Sequence, residues 1–185
     1  MSLSKPSEIV FNLVASYMNN LYNNPIKTKA ITSCLIATFG NYIAQKTRGV
    51  KEIDHDVLSA YGLFGLLFGG PVPHYFYKII YKYFKHPLAI LLIERLLYTP
   101  CFQVLSLYML SRFEGKSHQQ SCTNLQRLYW PVLSANLKYL TLLQFINIRY
   151  VPPMLKVLVV NIIGLAWTIY LANVRASDAR RQRRH

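Results

Sequence analysis

Charge is what this sequence has least of. Only 15% of its 185 residues are Asp, Glu, Lys or Arg, where a soluble domain carries about a quarter, while 52% are hydrophobic. Too few water-facing side chains remain to cover a globular surface, so the composition points to a membrane protein, read as a single integral domain over residues 1-185. Acidic residues are scarcer still, 7 against 21 Lys and Arg. Cysteine is sparse: Cys34, Cys101 and Cys122 form no CxxC pair, which removes the redox and zinc signatures. The five histidines share no ligand spacing on one helix face, so neither a metal nor a cofactor is expected. There is no Asn-x-Ser/Thr acceptor site. The first residues have neither the positive n-region of a secretory signal nor the Arg-rich character of a transit peptide, and the closing Arg-Arg-His differs from the Ser-Lys-Leu address. No nucleophile is paired with a base and no phosphate-cradling loop occurs, so the chain reads as a non-enzyme.

The net charge of +14 would suit nucleic acid, which attracts basic faces through its phosphates. Here, however, the basic residues cluster in short stretches between apolar runs, with no recognition-helix, zinc-finger or RNA-binding signature. They read instead as flanking charge that orients helices in a lipid bilayer, with no nucleic-acid partner.

Residues 1-24 hold an amphipathic segment: Val10, Leu13, Val14, Tyr17, Met18 and Leu21 recur at helical spacing, opposite Glu8, Asn12, Ser16 and the asparagines. Such a two-sided helix suits the membrane interface or the protein's own surface. Apolar runs follow at 28–45, from about 57 to 84, from 87 to about 110, from about 130 to 151 and from 153 to 172; residues 111–127 read as a polar loop and 174-185 as a basic tail. Each run approaches the roughly 20 residues a hydrocarbon core demands. The fold class expected is all-α, a polytopic transmembrane bundle of about four spans plus the N-terminal helix, with residues 130–172 counted as one element making a single net crossing. Eleven Lys and Arg then share the side of both termini, against six on the other, which places the termini in the cytosol. Gly65 and Gly69 form a GxxxG pair that invites close helix approach and a homo-oligomer.

The polar residues are not scattered. Thr38, Asn41 and Gln45 lie on one stripe of the first run, and Arg95, Thr99, Gln103 and Ser106 on one stripe of the third, with Glu94 beside them. Gln144 and Asn147 interrupt the fourth. A charge at such depth costs roughly 2.5 to 3.5 kcal/mol even on the lenient insertion scale, so Glu94 and Arg95 need each other, a partner such as Lys138 or Asn147, or water. Two arrangements meet that need: a water-filled path lined or gated by Glu94, Arg95, Gln144, Asn147, Thr38, Asn41 and Gln45, or a closed network that holds helices together.

Several stretches resemble a known family. They are "TKAITSCLIATFGNYIAQ", "FGGPVPHYFY", "ERLLYTPCF" and the long run from Tyr129 to Ala172, with Trp130-Pro131, Gln144 to Asn147, Val151-Pro152, Trp167 and Tyr170-Leu171 as its most specific words. The family is that of the Mpv-seventeen and peroxisomal membrane proteins, and the likeness covers nearly the whole chain after Asn24. Phe113-Glu114-Gly115-Lys116 and the wording around Gln144 are more similar to its peroxisomal branch than to its mitochondrial one. Glu94-Arg95 departs from the Asp followed by Gln or Arg of many members. The resemblance implies a four-span peroxisomal membrane protein with cytosolic termini that forms a relatively unselective channel for small hydrophilic solutes. The mitochondrial inner membrane is the rival location, and a structural or partner-docking protein without a pore the rival role.

Overall fold

The structure, a computed structural model, describes residues 5–150 and 153–182, and their side chains except those of residues 5–7, 10, 147–149 and 153–161. Val151-Pro152 and the side chain of Asn147 lie outside the described residues. Six helices follow one another: α1 (Lys5–Asn23), α2 (Pro25–Thr47), α3 (55–83), α4 (Pro87–Phe113), α5 (118–150) and α6 (Pro153–Gln182). No strand occurs among the described residues.

Local chemistry sets the boundaries. Pro25 and Pro87 open α2 and α4, where a missing N–H costs nothing. Asp54 caps α3 by accepting from the Val57 N–H at 3.0 Å. Ser117 and Gln120 form a capping box at the start of α5, each side chain satisfying a backbone N–H of the other. That box explains a difference from the sequence reading: the polar loop of 111–127 shrinks to four residues, 114–117, and α5 begins about a dozen residues before Trp130. The 174-185 stretch likewise continues α6 as far as Gln182.

The helices α2 to α6 alternate in direction. Gln45 meets Asp54 while Gly70 lies on Lys29 and Ala30, so α2 and α3 are antiparallel. The pairs Phe64–Phe102 and Phe76–Tyr98 run α4 against α3. Arg95–Asn136 and Tyr108–His118 run α5 against α4, and Arg127–Asp178 with Asn124–Gln182 run α6 against α5. Gly40 against Thr168 and Arg48 against the Ala172 carbonyl make α6 parallel to α2. Residues 130–172 are therefore not one element with a single net crossing: they belong to two antiparallel helices that each run the length of the bundle. Five helices rather than four traverse it, and Pro25 and Gln182 lie at opposite ends.

Gly65 and Gly70 bring α3 onto α2 at backbone distance. A Cβ on Gly65 would sit 2.5 Å from the Ser33 carbonyl oxygen, and one on Gly70 2.5 Å from that of Lys29. Gly69 faces the Ser33 side chain. The Gly65/Gly69 face, expected to join two copies, packs on α2 of the same chain. Gly65→Val should force the pair apart and destabilise the bundle by about 1–3 kcal/mol, read as a lower unfolding midpoint of the detergent-solubilised protein.

Apolar side chains cover the outside as well as the core, and polar ones are buried among them. Ile31, Leu35, Phe39 and Tyr42 form an exposed stripe on α2, and Leu88, Leu92 and Leu96 do so on α4, Leu96 with 72% of its surface open. The buried positions of the same helices include Asn41, Gln45, Glu94, Gln103 and Ser106. Apolar outside and polar inside is the arrangement that lipid selects. Among the described residues, Pro87–Phe113 is the helix both long and apolar enough to cross a membrane by length and composition, and only 17% of its most apolar window is buried, unlike the core helix of a soluble domain.

Candidate functional site

Two of the three π-turns in the bundle lie just before a proline: Gly65–Gly69 before Pro71, and Glu94–Tyr98 before Pro100. Proline supplies no N–H to the turn below it, and the helix widens by one residue where that bond is lost. The widening matters at Glu94. Consecutive residues of an α-helix do not face one another, yet Arg95 Nη2 donates to Glu94 Oε1 at 3.0 Å, and both side chains are about nine-tenths buried. Arg95 Nη1 also donates to Asn136 Oδ1 at 3.2 Å, from the third π-turn, Asn136–Leu140.

These groups line a central cavity of about 280 Å³ between α2, α3, α4, α5 and α6. Gln103 Nε2 donates to Ser106 Oγ at 3.2 Å on its wall. Arg95 Nε and Tyr98 Oη are buried there without a hydrogen-bond partner, in a space large enough for several waters. The arrangement is a chamber of zero formal charge in which Glu94, Arg95, Gln103 and Asn136 form a polar patch on walls otherwise built from Ile36, Phe64, Phe102, Leu140 and Trp167.

A second cavity, about 460 Å³, lies at the end of the bundle where α2 stops and α6 finishes. Its floor is a charge cluster. Arg175 Nη1 and Nη2 donate to Glu114 Oε1 and Oε2 at 2.6 and 3.1 Å, Nη2 donates to Ser111 Oγ at 3.2 Å, and Lys116 Nζ donates to Glu114 Oε2 at 2.8 Å. The Arg175 guanidinium also stands 5.7 Å from the Tyr61 ring centre, within cation–π range. Tyr61 lines both cavities, so one buried ring separates them along the bundle axis. Arg48, beyond the end of α2, has its guanidinium pKa lowered by burial, raised in part by Tyr61 and lowered again by Arg180; a guanidinium starts so far above neutrality that it stays cationic.

The residues singled out from sequence divide accordingly. Glu94 and Arg95 line the central cavity, and Asn41 and Gln45 the end cavity. Thr38 packs between α2 and α3, where a Cβ on Gly62 would meet its Oγ1 at 2.7 Å, and lines neither. Gln144 is half-buried on α5, and it too lines neither. Asn147 lies outside the described side chains. Lys138, expected as a partner of the Glu94 and Arg95 pair, is exposed beside the Tyr139 ring; Asn136, at the start of the π-turn, accepts from Arg95 instead. Arg175 and Glu114 escaped the sequence reading, being 61 residues apart with one in the expected loop and the other in the expected tail. The one signal was scarcity: with seven acidic residues in the chain, each one near an apolar run invites a search for its cation.

Residues 111–172 match the Mpv17 / PMP22 family. Peroxisomal membrane protein 2 of Bos taurus is 30% identical over 173 residues, covering 87% of this chain and 88% of the relative. The chain belongs to the Mpv17/PMP22 family. PXMP2/4 family protein 3 of Dictyostelium discoideum is 32% identical over 181 residues, 93% of this chain and 96% of its own. Mitochondrial inner membrane protein Mpv17 of Caenorhabditis briggsae is 20% identical over 167 residues, 87% of this chain and 92% of its own. No solved structure matches. Membership of the Mpv17/PMP22 family makes this a membrane protein, and its relatives carry both peroxisomal and mitochondrial names. The segment matched to the Mpv17/PMP22 family contains Glu114, Asn136, Thr168 and Leu171, all on the walls of the two cavities.

Proposed function

We propose that this protein is a channel of the peroxisomal membrane through which small hydrophilic solutes diffuse with little selectivity. The supporting observation is the pair of cavities inside the bundle, each with buried charged and amide side chains on its wall and both reaching Tyr61, beneath exposed apolar stripes. A chamber with amide and charged groups such as those of Arg95, Gln103 and Asn136 on its wall can replace part of a solute's hydration shell, and no chemistry is asked of it. The peroxisomal address follows the 30% identical bovine relative. A structural role without flux is the second reading, favoured by one observation: Glu94, Arg95 and Asn136 satisfy much of one another. Proteoliposomes separate the two. The channel releases an entrapped disaccharide and retains dextran; release no faster than from protein-free vesicles leaves the structural role.

For topology, we propose that α2 to α6 all cross the bilayer, with α1 and its exposed Phe11, Leu13, Val14 and Met18 lying in the interface. The α2 start then shares its side with Lys27, Lys29, Lys78, Lys82 and Lys85. The opposite side carries Lys46, Arg48, Lys51, Arg112, Lys116 and Arg127 together with Arg175, Arg180 and Arg181. The basic excess moves to the α6 end, which becomes the cytosolic one. Cysteines introduced at Asn23 and Gln182, with Cys34, Cys101 and Cys122 replaced by Ser, should react with an impermeant maleimide from opposite sides of the intact organelle. Labelling of both from the cytosol returns the count to four spans.

A further inference from the structure

We infer that the cavity at the α6 end of the bundle is a binding site for a small oxyanion in water, a carboxylate or a phosphate. The inference rests on which hydrogen-bonding groups there are used and which are spare. Gln45 Oε1 accepts from the Asp54 N–H at 2.7 Å, and its Nε2 donates to the Asp54 carbonyl at 3.0 Å. This fixes the orientation of the Gln45 amide, so the 2.8 Å bond from its Nε2 must end on Asn41 Oδ1. Asn41 Nδ2 is left as a donor with no acceptor, on a side chain only 1% exposed. Arg48 spends Nη1 on the Ala172 carbonyl and Asn173 Oδ1, leaving Nε buried and unpaired. Tyr61, 2% exposed, has its hydroxyl oxygen beside the Arg175 guanidinium, which leaves its O–H proton without an acceptor. All three residues line the same cavity.

The cavity's charges point the same way. Arg48, Lys116, Arg175 and Arg180 face Asp54, Asp56 and Glu114. Glu114 is held by Arg175 and Lys116, and Asp54 spends an oxygen on the α3 cap at the exposed rim. Among the described residues, Arg48 and Arg180 have no carboxylate within 4.0 Å, and both line the cavity. The Arg180 guanidinium, the N–H groups that Arg48 does not spend on Ala172 and Asn173, the Asn41 amide and the Tyr61 hydroxyl are donors in excess, while the carboxylates of Asp54 and Asp56 stand at the exposed rim. A surplus of donors is the complement of an oxyanion. A cationic solute would be repelled by Arg48 and Arg180, and a neutral one would leave their charge uncompensated.

The proposal deepens the channel reading by naming the class of solute held at the mouth, yet binding is measurable without flux. The experiment is thermal unfolding of the full chain in neutral detergent, titrated with sodium phosphate or sodium acetate at ionic strength held constant with sodium chloride. A saturable rise in midpoint is expected with at least one of the two, because a ligand that binds only the folded state stabilises it. Arg180→Gln, an exposed change that leaves the core untouched, should weaken the apparent affinity about tenfold, and Arg48→Gln at least as much, each judged against its own anion-free baseline. A rise no larger than chloride alone produces overturns the proposal, as does an equal rise in both variants. A rise produced only by phosphatidic acid in the micelle overturns it too, since the ligand is then a lipid headgroup. Flux without binding would retain the channel and remove the anion site; binding without flux would do the reverse.

Discussion

Arg175→Met should lower the stability of the detergent-solubilised protein by about 3–5 kcal/mol, the cost of stranding one member of a buried ion pair. The pair is bidentate, Arg175 is 9% exposed, and Ser111 and the Tyr61 face use the same guanidinium. Glu114→Gln should cost less than Arg175→Met, because the amide still accepts one hydrogen bond while Lys116 loses its partner. Arg175→Lys should fall between wild type and Arg175→Met, since an ammonium cannot fork onto two oxygens. Joint replacement of Arg175 by Met and Glu114 by Leu should recover much of the loss, because neither charge is then left buried alone. Unfolding midpoints followed by circular dichroism read all four. Equal stability of Arg175→Met and wild type would mean that the cluster is open to water and does not hold α4 to α6.

Glu94→Gln should change ion preference more than any other single substitution. The central chamber carries one carboxylate and one guanidinium, 3.0 Å apart. Removing the carboxylate leaves a net positive charge beside the axis. One unit charge at 4 Å is worth about 1 kcal/mol even at the dielectric constant of water and more inside a protein, so the cation-to-anion permeability ratio should fall about fivefold or more. Arg95→Gln should move the ratio the other way. Reversal potentials under a salt gradient measure both, and shifts of the same sign in the two variants would place the pair off the conduction path. The variants also lose stability, but a purely structural pair would alter stability alone.

Helical content and most helix positions were legible because apolar runs separated by charge and proline are dictated by local chemistry. The same locality limited the rest. Nothing in the run from Leu133 to Leu140 announces that a π-turn brings Asn136 to Arg95, since its effect is a shift of register. The Arg175–Glu114 cluster joins segments that each look solvent-facing on their own: an arginine among arginines near the chain end, and a glutamate in a polar stretch whose capping box at Ser117 and Gln120 extends α5 backwards. The stripe of Thr38, Asn41 and Gln45 was visible as one face, but burial divides it. Asn41 and Gln45 reach the end cavity, while Thr38 stands where Gly62 lets α3 press against α2. The side of the C-terminal arginines was not legible either: charge balance grouped them with the N-terminal lysines, whereas the pairing of α6 with α2 puts them at the other end of the bundle.

The central claim is that solutes pass through the interior of this bundle, and the most direct test is chemical blockade at its midpoint. Gln103→Cys, in a background with Cys34, Cys101 and Cys122 replaced by Ser, puts one thiol on the wall of the central cavity. The protein is then recorded as single channels in a planar bilayer. Discrete conductance steps that fall when a small water-soluble thiol reagent is added, and stay unchanged in the cysteine-free parent, are the result expected. Steps that persist with the thiol fully modified, or a silent bilayer containing folded, inserted protein, would contradict it.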